Sequence, residues 1–233
     1  MKEKSALIFY AIAGILYFVS TIIDNNVLAL CSKPFMSLSV LVFYIRESKF
    51  KINYWFVIAL LLLLCSGILN LFDDQVALKK IILINLLVYC ILLSFMIIKL
   101  LEKRIKKINN FNLLFIFLTC IFLATLLYLC LFLIFSTTSK LYLYITVYSC
   151  ILTFLGLLST FLVLTNNKKA NIFLVVANFC FIICDLFYVI YYYYYDFFFI
   201  RYVSILAHIF SFYFLVNYFI LYDKKDILSE IDF

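Results

Sequence analysis

Long apolar stretches alternate with short polar breaks along the whole chain. Eight such stretches run over residues 5–23, 32–45, 54–72, 80–98, 113–135, 141–164, 170–192 and 197–222. About 20 mostly apolar residues suffice for a helix to cross the hydrocarbon core of a bilayer. In lipid such a run becomes a helix, because unpaired backbone N–H and C=O groups find no water there. The second stretch is the shortest. Lys33-Pro34 stands at its start, which puts the proline in a first turn, where its missing N–H is tolerated. The first stretch follows Met1-Lys2-Glu3-Lys4, is long for a signal peptide and lacks a small-x-small cleavage site, so it reads as a retained helix. The pattern therefore predicts an all-α polytopic membrane protein. It is a bundle of about eight transmembrane helices in a single domain, 1–233, with no internal repeat.

Composition rules out the main alternative. Of 233 residues, 68% are hydrophobic and 13% charged, and the mean hydropathy is +1.18. Soluble domains are about half apolar and about a quarter charged. Eight spans need about 160 apolar residues, which nearly exhausts the supply and leaves no room for a soluble domain. The net charge of +7 sits in the breaks. With the N-terminus on one side and the helices alternating, Lys33, Lys79, Lys80, Lys140 and Arg201 fall on the opposite side. The other 14 of the 19 Lys and Arg fall on the N-terminal side. The positive-inside rule makes that side, with both termini, cytoplasmic. This explains the basic charge without nucleic acid. The longest break, 99–112, is basic and lies within reach of anionic head groups. Three Gly and one Pro are few for a transporter built on broken helices. Seven of the eight Cys lie inside apolar runs and Cys31 at a helix mouth. No CxxC pair occurs, so they read as packing residues, and neither metal nor cofactor is expected. Tyr191 to Tyr195 read as an interfacial aromatic belt.

Ionisable residues at depth are costly, which makes each a functional candidate. Eleven of the 12 acids lie in breaks or at helix ends, and the exception is Asp185. Asn171, Asn178 and Asp185 recur every seven residues and form one polar stripe on the seventh helix, turned toward other helices. His208, the one histidine, lies at a similar depth on the eighth. An Asp–His pair there would move protons, although a lone helix histidine more often packs or bonds a neighbouring helix. Ser66 with Asn70, and Asn85 with Tyr89, each share a helix face at i, i+4. Ser149, Thr153, Gly156 and Thr160 form a small-residue stripe suited to close helix packing. Lys33 at the outer mouth either snorkels to the interface or meets a lipid phosphate. Asp24, Asp73, Asp74 and Asp196 line the same side and suit loop salt bridges.

Several of these features together resemble the YhhN family, which includes the lysoplasmalogenases. Cys31-Ser32-Lys33-Pro34 resembles its Thr-Lys-Pro opening of the second helix, and Cys184-Asp185-Leu186 its Ser-Asp-Leu on the seventh. Tyr213-Phe214-Leu215-Val216-Asn217 resembles its Tyr-x-x-x-Gln on the last helix, with Asn for Gln. The likeness in order, spacing and helix count covers almost the whole chain. One departure stands out: Asn70 occupies the place of a third-helix carboxylate, four residues after Ser66. The family's fourth-helix His is also missing, with Asn85 and Tyr89 close to its place. The resemblance implies hydrolysis of the vinyl ether of a lysophospholipid in a bacterial cytoplasmic membrane. Asp185 would be acid and base and Asn70 would orient water, while Lys33, Tyr213, Asn217, Ser66 and His208 would bind substrate. A lipid-binding relative without chemistry, or a small transporter using Asp185 and His208, are the alternatives.

The charge count generates a test of orientation. A fluorescent-protein fusion at the C-terminus is expected to fluoresce, and an alkaline phosphatase fusion there to be inactive. The reverse would put the terminus outside.

Overall fold

The computed structural model describes residues 5–48, 52–70, 75–101, 109–135, 142–166, 168–193 and 197–231. Among these the chain is entirely helical: α1 (Ser5–Ile22), α2 (Asn26–Glu47), α3 (Tyr54–Leu69), α4 (Gln75–Leu101), α5 (Asn110–Phe135), α6 (Tyr142–Thr165), α7 (Lys169–Tyr193) and α8 (Phe198–Ile231). Seven are long and apolar enough to cross a membrane, and α3, with 16 residues, is the shorter apolar helix. At 1.5 Å per residue α3 is about 24 Å long. The protein is a polytopic helical membrane protein.

Large apolar side chains lie both inside and outside. Met36, Tyr44, Phe56, Leu92, Leu155, Phe181 and Phe212 are buried, and Ser20, Thr21, Ser37, Ser159, Asn171, Asn178 and Ser211 are buried among such residues. Ile8, Phe9, Ile12, Leu114, Phe117, Phe122 and Phe132 face outward. Lipid tails are as apolar as Leu, so such a surface suits a bilayer, and helices there associate through close packing and internal hydrogen bonds. Hydroxyl groups on the helices are quieted locally. Ser20, Thr21, Thr119, Thr160 and others donate to the backbone carbonyl three or four residues back.

The helices divide into two compact units. The first contains α1 to α3, α4 through Val88, and α8 from Phe212. Here α1 packs on α2, and α2 on α3. Ala6, Tyr10, Ala13, Tyr17, Ser20 and Thr21 make the buried stripe of α1 at spacings of three and four. Asp24, with φ 52°, turns the chain between them. Asn25 caps α2 by accepting from the Leu28 N–H at 3.0 Å. That cap moves the start of α2 six residues ahead of the expected 32. Pro34 consequently lies inside the helix, and Lys33 sits not at a helix mouth but about 10 Å into a span. Near the other end, Phe56 is stacked on Phe219 at 3.7 Å and meets Tyr44 edge-on at 4.7 Å. The Tyr44 hydroxyl accepts from the Asn53 N–H at 2.9 Å, and this fixes the α2–α3 connection.

The second unit contains α4 from Tyr89, α5, α6, α7, and α8 through Ser211. Helices α5, α6 and α7 pack on one another. Gly156 permits this: a Cβ there would stand 3.0 Å from Ile182 Cδ1 and 3.1 Å from Leu123 Cδ1. Lys99, expected in a basic loop, instead lies buried in the last turn of α4. Its ammonium donates to Asn171 Oδ1 at 3.3 Å. Residues 102–108 of the 99–112 stretch, Asp73, Asp74, Asp196 and part of the tyrosine run lie outside the described residues.

The two glycines should respond differently to substitution. Gly156→Val overpacks the α5–α6–α7 contact and is expected to cost about 1–3 kcal/mol, read as a lowered thermal midpoint in detergent. Gly67→Ala meets only the flexible Lys33 side chain at 3.4 Å and is expected to leave the midpoint within a degree or two. Equal effects would contradict the packing described.

Candidate functional site

Asp185 is the ionisable group the second unit is built around. It lies in the middle of α7, half-buried, one residue after buried Cys184. Two tyrosines from other helices converge on it. Tyr148 of α6 donates its hydroxyl to Asp185 Oδ2 at 2.6 Å. Tyr89 of α4 donates to the same oxygen at 2.9 Å. The two hydroxyls are 3.4 Å apart and their rings 5.3 Å. Both tyrosines are buried, and Phe181, one turn before Asp185, meets the Tyr89 ring edge-on at 5.7 Å. An O–H···O distance near 2.6 Å is in the range of charge-assisted hydrogen bonds, the stronger kind.

The geometry is lopsided in a useful way. Both donors use Oδ2, and among the described residues Asp185 Oδ1 has no hydrogen-bond partner. Nor is Oδ1 one of the sealed unpaired oxygens, which are Asn85 Oδ1 and Asn178 Oδ1. Oδ1 is thus the carboxyl oxygen left unpaired, while the two bonds to Oδ2 fix the carboxyl plane. Below it on the α7 stripe, Asn178 reaches the Leu155 carbonyl at 3.5 Å. Asn171 donates to the Leu162 and Asn166 carbonyls, holding the α6–α7 corner.

The other expected residues are placed as follows. His208 is in the second unit, but Asp185 bonds Tyr89 and Tyr148 rather than this histidine. The His208 carbonyl accepts from Ser211. Ser204, one turn before His208, donates to the Cys184 carbonyl at 2.8 Å and ties α8 to α7 beside Asp185. Lys33, Ser66, Asn70, Tyr213 and Asn217 all belong to the first unit. Asn70 ends α3, its N–H bonded to the Ser66 carbonyl at 3.0 Å. The Asn217 amide donates to the Tyr213 carbonyl at 2.8 Å, so it serves its own helix. Lys33 and the Ser66–Gly67 step are brought together, with Lys33 Cε against Gly67.

Tyr148 is the partner of Asp185 that sequence reasoning missed. Its signal was its place on the buried stripe Tyr148, Leu152, Leu155, Ser159 and Leu162 of α6. Among 19 Tyr and 28 Phe that signal does not stand out. Tyr89, by contrast, stands where the resemblance calls for a fourth-helix polar group. Comparison of the chain with protein-family models, with curated proteins and with solved structures finds no match.

Leaving a buried hydrogen-bonding group without its partner costs about 1–3 kcal/mol. Tyr148→Phe is expected to lower stability in that range. In a double-mutant cycle with Asp185→Asn the two losses should fail to add by at least about 1 kcal/mol. Additive losses, measured by thermal unfolding in one detergent, would mean the pair is not coupled.

Proposed function

We propose that the protein is an intramembrane hydrolase that cleaves the vinyl ether of a lysophospholipid, with Asp185 as its proton-transfer group. The observation that carries this reading is the carboxyl itself: Oδ2 held by Tyr148 and Tyr89, Oδ1 open. The sequence resemblance to lysoplasmalogenases supplies the reaction class, and the apolar spans suit a substrate with one long chain. The charge bias supports a cytoplasmic-membrane protein with both termini inside.

The chemistry needs one well-placed carboxyl and one water. Protonated at Oδ1, Asp185 gives its proton to the β-carbon of the vinyl ether, and the C=C electron pair forms the new C–H bond. The α-carbon becomes an oxocarbenium ion, and Asp185 becomes a carboxylate. Water adds to the α-carbon and returns a proton to Asp185, leaving a hemiacetal. Collapse of the hemiacetal breaks the C–O bond to glycerol, giving a fatty aldehyde and a glycerophospho alcohol. The carboxyl acts first as acid and then as base. Tyr148 and Tyr89 hold the carboxyl plane throughout, so that the proton leaves from and returns to one oxygen. The developing cation is stabilised by the carboxylate beside it, as in other carboxyl-catalysed ether cleavages.

One observation favours a second reading. Asn70 stands where the resemblance expects a second carboxylate, and an amide of that shape carries no proton to give. A relative that binds the lipid without cleaving it follows if one carboxyl is insufficient.

The purified protein in detergent is expected to release fatty aldehyde from lysoplasmenyl-ethanolamine. Asp185→Asn should reduce release at least 100-fold and Tyr148→Phe roughly 10-fold, as is typical for acid–base groups and their positioning. Full activity in Asp185→Asn would sink the mechanism. No release from folded wild-type protein that still binds the lipid would favour the binding reading.

A further inference from the structure

Lys33 is 4% exposed and Ser66 is 5% exposed, and both lie within helices of the first unit. Most buried hydroxyls of this chain donate to a carbonyl of their own helix, as Ser32 and Ser37 do on either side of Lys33. Ser66 has no such bond, and Lys33 has neither a hydrogen bond nor an ion pair, among the described residues. The ammonium lies over the face of the Tyr17 ring, 5.3 Å from Nζ to the centroid. A cation–π contact of this kind contributes about 0.5–2 kcal/mol. The effective penalty for burying an ammonium is several kcal/mol. The ring therefore leaves most of the charge uncompensated.

Neither atom is walled in. The side-chain atoms sealed without a partner among the described residues are Asn85 Oδ1 and Asn178 Oδ1, and neither Lys33 Nζ nor Ser66 Oγ belongs with them. The α2–α3 contact sets the Lys33 stem against Gly67, the residue after Ser66. Gly67, the neighbour of Ser66, has no side chain, and a Cβ there would stand 3.4 Å from Lys33 Cε. An unpaired ammonium and an unpaired hydroxyl, both more than nine-tenths buried yet open at the polar atom, lack an anionic acceptor.

We propose that Lys33 and Ser66 form an anion-binding site that takes a phosphate ester. Lysine binds phosphate as a point charge without needing a planar partner. Lys33 lies about 10 Å along α2 from its first residue, and its four-carbon stem brings the ammonium back toward the membrane interface, where lipid phosphates lie. The Ser66 hydroxyl supplies a donor to a second phosphate oxygen, and the Tyr17 ring closes the opposite side of the ammonium. The proposal deepens the hydrolase reading, which has Lys33 and Ser66 meet the substrate, but it is read by binding and so stands or falls separately from turnover.

The test uses the full chain in a neutral detergent with two probes of equal acyl chain, lysophosphatidylethanolamine and monoacylglycerol. Wild-type protein is expected to bind the first at least tenfold more tightly, by titration calorimetry or native mass spectrometry. Lys33→Met should erase that preference, Lys33→Arg should keep part of it, and Ser66→Ala should weaken it a few-fold. Removal of an unpaired buried charge should leave ligand-free Lys33→Met at least as heat-stable as wild type. Should Lys33→Met fail to fold, Lys33→Arg and Ser66→Ala with the same two probes decide the matter. Displacement of the lipid by millimolar inorganic phosphate would show that the site takes free phosphate as well. Preference without displacement would show that the phosphate is held as a lipid head group. Equal affinity for the two lipids, or a preference that survives in Lys33→Met, would overturn the proposal.

Discussion

A carboxyl group within a membrane span has to obtain its hydrogen bonds from its own chain, and the second unit is arranged around that need. Asp185 takes one donor from α6 at 2.6 Å and one from α4 at 2.9 Å. Each bond ties a different helix to α7 at the same point. For Tyr148 to reach that point, α6 has to lie close against its neighbours. Gly156, two turns further along α6, lets Leu123 of α5 and Ile182 of α7 approach to about the limit of contact. A small residue in one place and a polar cluster in another are thus parts of one packing solution. The lipid-facing surface contributes little to specificity here, because Ile, Leu and Phe meet lipid tails about as well as they meet each other.

The helical pattern was legible because the membrane enforces it. Every long apolar run became a helix. The boundaries were harder, for local reasons. Asp24-Asn25-Asn26 looks like the start of a loop reaching to Pro34, yet Asn25 accepts from the Leu28 N–H and starts α2 at once. Pro34 then has to be accommodated inside α2, although a proline in a helix interior removes a hydrogen bond and crowds the preceding turn. Lys99 read as loop because it is charged, but Asn171 receives its ammonium and the helix continues past it. In each case a polar side chain found a partner that spacing along the chain could not reveal.

The site was half legible for a related reason. A lone acid in an apolar run is conspicuous, so Asp185 could be read directly. A tyrosine in a chain holding 19 of them is not, so Tyr148 could not. Tyr89 was visible only through its place opposite Asn85 on one helix face. An Asp185–His208 pair was suggested by equal depth only, and depth alone does not fix which face of α8 turns toward α7. Ser204 ties α8 to α7 there, by donating to the Cys184 carbonyl.

The polar interior of this protein holds three kinds of group, and their differences carry functional meaning. Asn171 and Lys99 are joined to each other, and Asn171 also holds two backbone carbonyls, so they have a structural role. Asn178 Oδ1 is unpaired but enclosed, which costs stability. Asp185 and Lys33 are different. Each is anchored on one side, Asp185 through Oδ2 and Lys33 by the Tyr17 ring, and each leaves a polar atom unpaired yet unsealed. An anchored group with a free, open atom is costly to keep in a membrane unless something binds there. A merely structural carboxyl or ammonium would be expected to close its remaining valence on a neighbour, as Asn171 does. That neither does so is the physical reason for proposing proton chemistry at Asp185 and anion binding at Lys33.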